Sequence, residues 1–99
     1  MLFLTVQAES DLSNISNYTL KAWGEKQQIA YLQMLEIMFD KLSENIFIGE
    51  EVDYILTGYR KYPAGKHLIF YKIVNDTNVE VVRVLHQSMD LDERLDLSY

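Results

Sequence analysis

The sequence predicts an α+β fold: an N-terminal strand, an αα-hairpin, then a three-stranded antiparallel meander, with the hairpin packed on one face of the sheet. Three observations predict it. A short apolar, β-prone stretch opens the chain. Two segments with apolar residues at three- and four-residue steps then flank Gly24. Downstream, three β-branched and aromatic runs are separated by turn-forming residues.

Leu2 to Val6 is the first strand, and Ser10 or Asp11 then offers a helix-capping side chain before the period changes. From Glu9 to Trp23, Leu12, Ile15, Tyr18 and Ala22 recur at helical spacing, and Trp23 widens the stripe. Tyr18 and Trp23 are therefore expected in the core. Gly24 stops this helix as a glycine just past a C-terminus does. Glu25 to Asn45 carries the strongest helical signal, with Tyr31, Leu32, Met34, Leu35, Met38, Phe39 and Leu42 on one broad face. Ile29 and Ile37 lie off that face, either as ordinary surface residues or as contacts for a partner.

Ile46 to Asp53, with Gly49 and three acids, reads as a connecting loop. Tyr54 to Tyr62, Lys66 to Val74 and Val79 to His86 are the strands, divided by Pro63-Ala64-Gly65 and by Asn75-Asp76-Thr77-Asn78. Alternation in the second strand puts His67, Ile69, Tyr71 and Ile73 on one face and Leu68, Phe70 and Lys72 on the other. Both faces are substantially apolar and the hairpin covers only one. The other is expected to meet a partner chain or the C-terminal segment, where Met89, Leu91 and Leu95 stand among acids in an expected short helix. The whole reads as one domain over 1–99, with the hairpin at about 8–45, the meander at about 54–86 and an acidic tail at 87–99.

Ninety-nine residues, 48% of them apolar, suffice for one unaided core, since a chain this long buries about 65% of its unfolded surface. There is no cysteine, which excludes disulfides, thiol catalysis and cysteine zinc sites and fits a reducing cytoplasm. Met1 to Val6 lacks a basic flank and is shorter than a signal core or a membrane span, so the chain reads as soluble and unexported. A net charge of −6 argues against gripping a phosphate backbone. The charge is uneven: −6 over 1–53, +3 over 54–86 and −3 over 87–99. A basic centre between acidic ends permits a local anionic contact but no long nucleic-acid groove.

Metal and catalytic readings find little support in the spacing. His67 and His86 have no third histidine or cysteine for a structural zinc site, and read as structural or interface residues. Asp90, Asp92, Glu93 and Asp96 lack the central glycine and final glutamate of a calcium loop. The glycines are isolated, so no phosphate-cradling loop is present, and there is no nucleophile elbow. Arg60, Lys61, Lys66, His67, Arg83 and His86 remain, and on a sheet they could hold a scissile phosphate in a metal-independent ribonuclease. No pair among them is set by spacing for proton transfer, which favours a charged docking face.

Element order and particular strings are similar to the RelE/ParE toxin superfamily, and specifically to its ParE branch. DLSNISNYTLKAWGEKQQIAYL in the hairpin, GYRKYPAGKHLIFYKI and VEVVRVLHQSMD resemble that branch over nearly the whole length. The run from Gly58 to Tyr71, and Arg83-Val84-Leu85-His86 with Met89-Asp90, are the most specific parts. The resemblance implies a bacterial type II toxin, cytoplasmic, that inhibits and poisons DNA gyrase by docking and is neutralised by a ParD-like antitoxin. No cofactor, membrane or sequence-specific nucleic-acid contact is implied. RNA-cutting relatives place an arginine where this chain has Leu68, and catalytic His or Tyr groups where it has Leu85 and His86. His86 keeps a ribosome-dependent ribonuclease as the alternative, beside an inactive antitoxin-binding relative. The residues expected to meet the target are Arg60, Lys61, Lys66, Arg83, His86, Met89 and Asp90. Those expected to meet the antitoxin, in the groove between hairpin and sheet, are Ile29, Ile37, Leu68 and Phe70.

Overall fold

The computed structural model describes residues 1–88, so the expected tail helix, with Met89 and Asp90, lies outside the described residues. Strand β1 (Leu2–Leu4) leads into helices α1 (Val6–Trp23) and α2 (Glu25–Glu44), followed by β2 (Glu50–Glu51), β3 (Tyr59–Ala64), β4 (His67–Val74) and β5 (Asn78–His86). The sheet order is β1-β5-β4-β3-β2, with β1 parallel to β5 and every other pairing antiparallel. This is the expected strand, hairpin and meander, with β1 beside the last meander strand, except that the first meander strand begins at Tyr59 rather than Tyr54, because the Ile55 and Leu56 N–H groups turn back to Val52 O and the Gly58 N–H to Asp53.

Helix α1 starts earlier than expected, and neither Ser10 nor Asp11 caps it. Thr5 is the cap: its Oγ1 accepts from the Ala8 N–H at 3.1 Å, while its own N–H still donates to Val81 O at 3.0 Å. One residue thus ends the sheet ladder and begins the helix, leaving no loop in which a later cap could act. Gly24, at φ 91°, separates the helices as expected. The α2 face read from the sequence packs onto the sheet, with Leu35 and Leu42 buried and Tyr31, Leu32, Met34, Met38 and Phe39 against the same core. Burying Leu35 or Leu42 contributes about 2–3 kcal/mol each. Ile29 and Ile37 are 48% and 54% exposed.

The expected 46–53 loop contains strand β2, whose register sets Glu50 opposite Lys61 and Glu51 opposite Arg60. Opposite charges at facing positions favour this pairing, and a two-residue charged strand discourages further strands from adding at that edge. Pro63 and Ala64 belong to β3, so the β3–β4 turn is centred on Gly65, at φ 59°. Pro63 lies beyond the two residues that β2 pairs, where a missing N–H costs no ladder bond. Asn75 and Asp76 make the next turn at φ 55° and 63°, a region these side chains tolerate.

The two faces of β4 part as its alternation predicts. Ile69, Tyr71 and Ile73 join the core under the helices, whereas Phe70 and Leu68 belong to a second cluster with Val82, Leu85 and Tyr59. Between Phe70 and Tyr71 the β4–β5 register slips past Val82. This bulge lets Val81 and Val84, three residues apart, reach the same helical side. Tyr71 is fully buried, and its hydroxyl donates to Ile46 O and accepts from the Gly49 N–H, both at 2.9 Å. These bonds tie the segment after α2 to the sheet.

A Cβ at Gly49 would sit 2.6 Å from the Tyr71 ring and hydroxyl and 2.9 Å from the Lys61 carbonyl. Gly49→Ala is expected to destabilise the fold by about 1–3 kcal/mol, the range for overpacking, as read by urea denaturation. Gly24→Asn has open space around it but forces a side chain onto φ 91° and ψ 172°, a region essentially confined to glycine, and is expected to destabilise the fold by about 1–3 kcal/mol in the same measurement.

Candidate functional site

Helix α1 runs along β5 in the strand's own direction. Thr5 meets Val81 and Val82, and Asp11 meets Arg83 and Val84. Its 18 residues span about 27 Å at 1.5 Å each. Strand β5 ends at His86, so the last turns of α1 pass beyond it. Tyr18 and Trp23, expected in the core, are therefore 60% and 68% exposed. Correct helical phase did not bury them, because no described strand lies beneath their end of the helix.

Under this overhang is a cleft of about 750 Å³. Helix α1 contributes Asn14, Ile15, Tyr18, Thr19 and Trp23; α2 contributes Gln27 and Tyr31; the ends of β4 and β5 contribute His67 and His86, with Lys66 from the β3–β4 turn and Ser88 from just past β5. The antiparallel register sets His67, first in β4, opposite His86, last in β5, with ring centroids 5.3 Å apart. Tyr31 Oη is hydrogen-bonded to His67 Nδ1 and accepts from the Lys66 N–H at 3.0 Å. The Ser88 N–H donates to His86 Nδ1 at 3.1 Å, which makes that nitrogen an acceptor and leaves the proton of the neutral ring on Nε2. Burial holds the His67 pKa below its ordinary value, the charge of His86 adds to this, and Asp11 partly opposes it. Burial raises the Tyr31 pKa, so its hydroxyl stays protonated at pH 7.

The expected site residues are divided among three places. Lys66 and His86 line the cleft together with His67, a candidate of the ribonuclease reading, and are joined by Tyr31, Tyr18 and Trp23, which sequence reasoning left out of the site. Arg60 and Lys61 lie at the β2–β3 edge. Arg60 donates to Gly49 O at 2.8 Å and Glu51 Oε1 at 3.0 Å and stacks over Phe47 at 5.2 Å, while Lys61 lies 3.4 Å from Tyr54 Oη and 3.6 Å from Glu50. Phe47 and Tyr54, 64% and 71% exposed, make this edge a mixed aromatic and cationic surface. Arg83 instead points at α1. Its Nε and Nη2 donate to Asp11 at 2.8 and 3.0 Å, and Asp11 also accepts from the Val84 N–H at 2.9 Å. Of the expected antitoxin contacts, Ile29 and Ile37 are exposed and Leu68 is half-buried. Phe70 offers no surface, being wholly buried with Val82 and Leu85.

The described residues contain no cluster of three metal-ligating side chains, and no described helix is long and apolar enough to cross a membrane. With Arg83 held by Asp11, the cleft is left with the Lys66 ammonium and, beside it, two imidazoles, of which His67 is held toward its neutral form by burial. The arrangement is suited to holding an anionic or aromatic group.

Comparison with known proteins agrees with this architecture. The family model described as "ParE toxin of type II toxin-antitoxin system, parDE" matches residues 2–91. The chain is 40% identical over 92 residues to Toxin ParE1 of Mycobacterium tuberculosis, covering 93% of this chain and 94% of that one. It is 33% identical over 87 residues to Toxin ParE1 of Caulobacter vibrioides, covering 88% of each. The fold is similar to a chain of the solved structure "Chromosomal ParDE TA system from P. aeruginosa", with a TM-score of 0.75 at 15% identity, covering 86% and 92% of the two chains.

The lowered His67 pKa has a definite consequence for stability. The unfolded chain binds a proton that the folded chain resists, so this contribution is complete above the ordinary histidine value near 6.5 and is lost as pH falls through the folded value. Melting temperature is expected to fall between pH 7.5 and 5.5. The fall should be shallower in His67→Gln, whose amide can still meet Tyr31.

Proposed function

The chain belongs to the ParE toxin family of type II toxin-antitoxin systems, and on that premise we propose that it inhibits DNA gyrase by docking, performs no chemistry itself, and is neutralised by direct binding of a ParD-like antitoxin. The observation that carries this reading is the engagement of Arg83. The described sheet arginine best suited to gripping a scissile phosphate beside His86 has two of its donors bound to Asp11, where it fastens α1 to the sheet. Leu68 stands where the RNA-cutting relatives are expected to carry a second arginine. Acid–base cleavage without a phosphate-holding partner loses orders of magnitude.

The surfaces support docking. At the β2–β3 edge Phe47 and Tyr54 are exposed beside Arg60 and Lys61, the aromatic and cationic composition typical of residues that dominate protein interfaces. This edge is the proposed gyrase contact. The groove between hairpin and sheet, with Tyr18 and Trp23 at its mouth, is the proposed seat of the antitoxin, with Ile29 and Ile37 extending it on α2. A net charge of −6 suits a protein target better than an RNA one. One observation favours the ribonuclease as a second reading: Lys66, His67 and His86 share one cleft.

A supercoiling assay with purified gyrase tests the proposal. Supercoiling is expected to fall and linear DNA to accumulate, and a molar excess of antitoxin is expected to reverse both. Tyr54→Ala combined with Lys61→Gln should weaken inhibition about tenfold, equivalent to about 1.4 kcal/mol, with an unchanged fold. Unchanged supercoiling by folded protein, with mRNA cleavage on ribosomes that His86→Ala abolishes, would overturn docking in favour of the ribonuclease.

A further inference from the structure

Arg60 and Lys61 are neighbours on β3, yet alternation sends them to opposite faces of the sheet, Arg60 beside Tyr71 and Lys61 beside Phe70. The Arg60 guanidinium is turned onto its own chain, and its side chain is 17% exposed. Nη1 donates to Gly49 O at 2.8 Å and reaches Phe47 O at 3.4 Å, while Nη2 donates to Glu51 Oε1 at 3.0 Å. The guanidinium carbon lies over the Phe47 ring, 5.2 Å from its centroid, a distance at which an aromatic face attracts a cation. Phe47 is nonetheless 64% exposed, so the ring rests on a partly buried cation and gives most of its surface to solvent. The backbone around it is fixed separately: Ile46 O and the Gly49 N–H both meet Tyr71 Oη, and the Ile48 N–H donates to Asn45 O at 3.1 Å. With the chain held, the orientation of the ring is left for the guanidinium to set.

We propose that Phe47 is the aromatic anchor by which the β2–β3 edge enters an apolar pocket of its target, and that Arg60 is its positioning residue, holding the ring in the binding orientation without touching the target. The assignment rests on the reading of this edge as the gyrase contact, and it adds which side chain there carries the contact and what prepares it. Immobilising an exposed side chain on binding costs affinity, and a ring already seated on a cation avoids that cost. Charge alone does not seat it. A lysine ammonium is a point charge on a flexible stem, and it lacks both the planar fork that meets Gly49 O and Glu51 together and the flat group on which a ring stacks.

Arg60→Lys, Phe47→Ala and the double variant, all full-length and at matched concentrations of folded protein, are compared with the unsubstituted chain in the gyrase supercoiling assay. Each single substitution is expected to weaken inhibition about five- to tenfold. The double variant should fall no more than about twofold below Phe47→Ala, because a residue that acts through the ring has nothing left to act on. A second measurement needs no gyrase: with 4-fluorophenylalanine in place of Phe47, Arg60→Lys is expected to shift and narrow the fluorine NMR resonance as the ring is released. Loss of global stability alone would not move that line below the melting temperature. Should Arg60→Lys fail to fold, Phe47→Leu carries the test, since it keeps an apolar side chain but no ring for the guanidinium, and inhibition should weaken about threefold or more. Full inhibition by Arg60→Lys or by Phe47→Leu, or an unmoved fluorine resonance, would overturn the proposal. Losses that multiply in the double variant would also overturn it, by placing the guanidinium against the target. Inhibition that survives intact in Phe47→Ala would sink this proposal and leave the gyrase reading standing, whereas unchanged supercoiling by the unsubstituted protein would sink both.

Discussion

Three hydrogen bonds to one carboxylate organise this molecule. Asp11 accepts from Arg83 Nε, Arg83 Nη2 and the Val84 N–H, so a single side chain on α1 holds both a guanidinium and the backbone of β5. The pair is only partly exposed, at 21% for Arg83 and 12% for Asp11, which strengthens each charge-assisted bond relative to a surface pair. Thr5 fixes the start of α1 on Val81 and Val82, and Asp11 fixes it again two turns later. The helix is thereby aligned with β5. That alignment carries Ile15 over the end of the sheet and leaves Tyr18 and Trp23 beyond it, which creates the cleft.

The same clamp explains why the polar residues of the meander do not gather into one catalytic site. A β-bulge at Val82 and the reach of Arg83 toward α1 set that arginine apart from Lys66 and His86, since its Nε and Nη2 hold Asp11. Arg60 and Lys61 lie at the opposite edge of the sheet among glutamates and exposed aromatics. Two mixed surfaces result, one at the hairpin tip and one at the β2–β3 edge. The proposed docking, on an antitoxin and on a target, has use for two such surfaces.

Much of this was legible in the sequence because period and turn chemistry are local. Gly24, the broad face of α2 and the alternation of β4 all specify structure within a few residues, and each is found in the fold. The resemblance to the ParE branch, carried by the strings from Gly58 to Tyr71 and around Arg83, led to the family that the comparisons give. What sequence reasoning missed depends on length and on distant partners. Asp11 looked like a cap because its partner, Arg83, lies 72 residues away, and Thr5 caps instead because the strand reaches it. Tyr18 and Trp23 have the phase of core residues, and only the end of β5 at His86 leaves them exposed. Tyr31, His67 and His86 meet through α2 packing and the β4–β5 register, neither of which spacing along the chain reveals.

The central claim is that this protein acts by docking and that Arg83 serves the fold rather than a target or a phosphate. Its most direct test is the gyrase cleavage assay on a double variant, Asp11→Asn with Arg83→Gln, which removes both charges and leaves an amide oxygen to accept from the Val84 N–H. The account predicts linear DNA within about threefold of the unsubstituted protein, provided the variant's melting temperature stays above that of the assay, because a neutral, hydrogen-bonded pair can replace a partly buried ion pair at modest cost. Loss of gyrase poisoning by a variant that is fully folded would contradict it, and would place the Arg83 guanidinium in the functional contact itself.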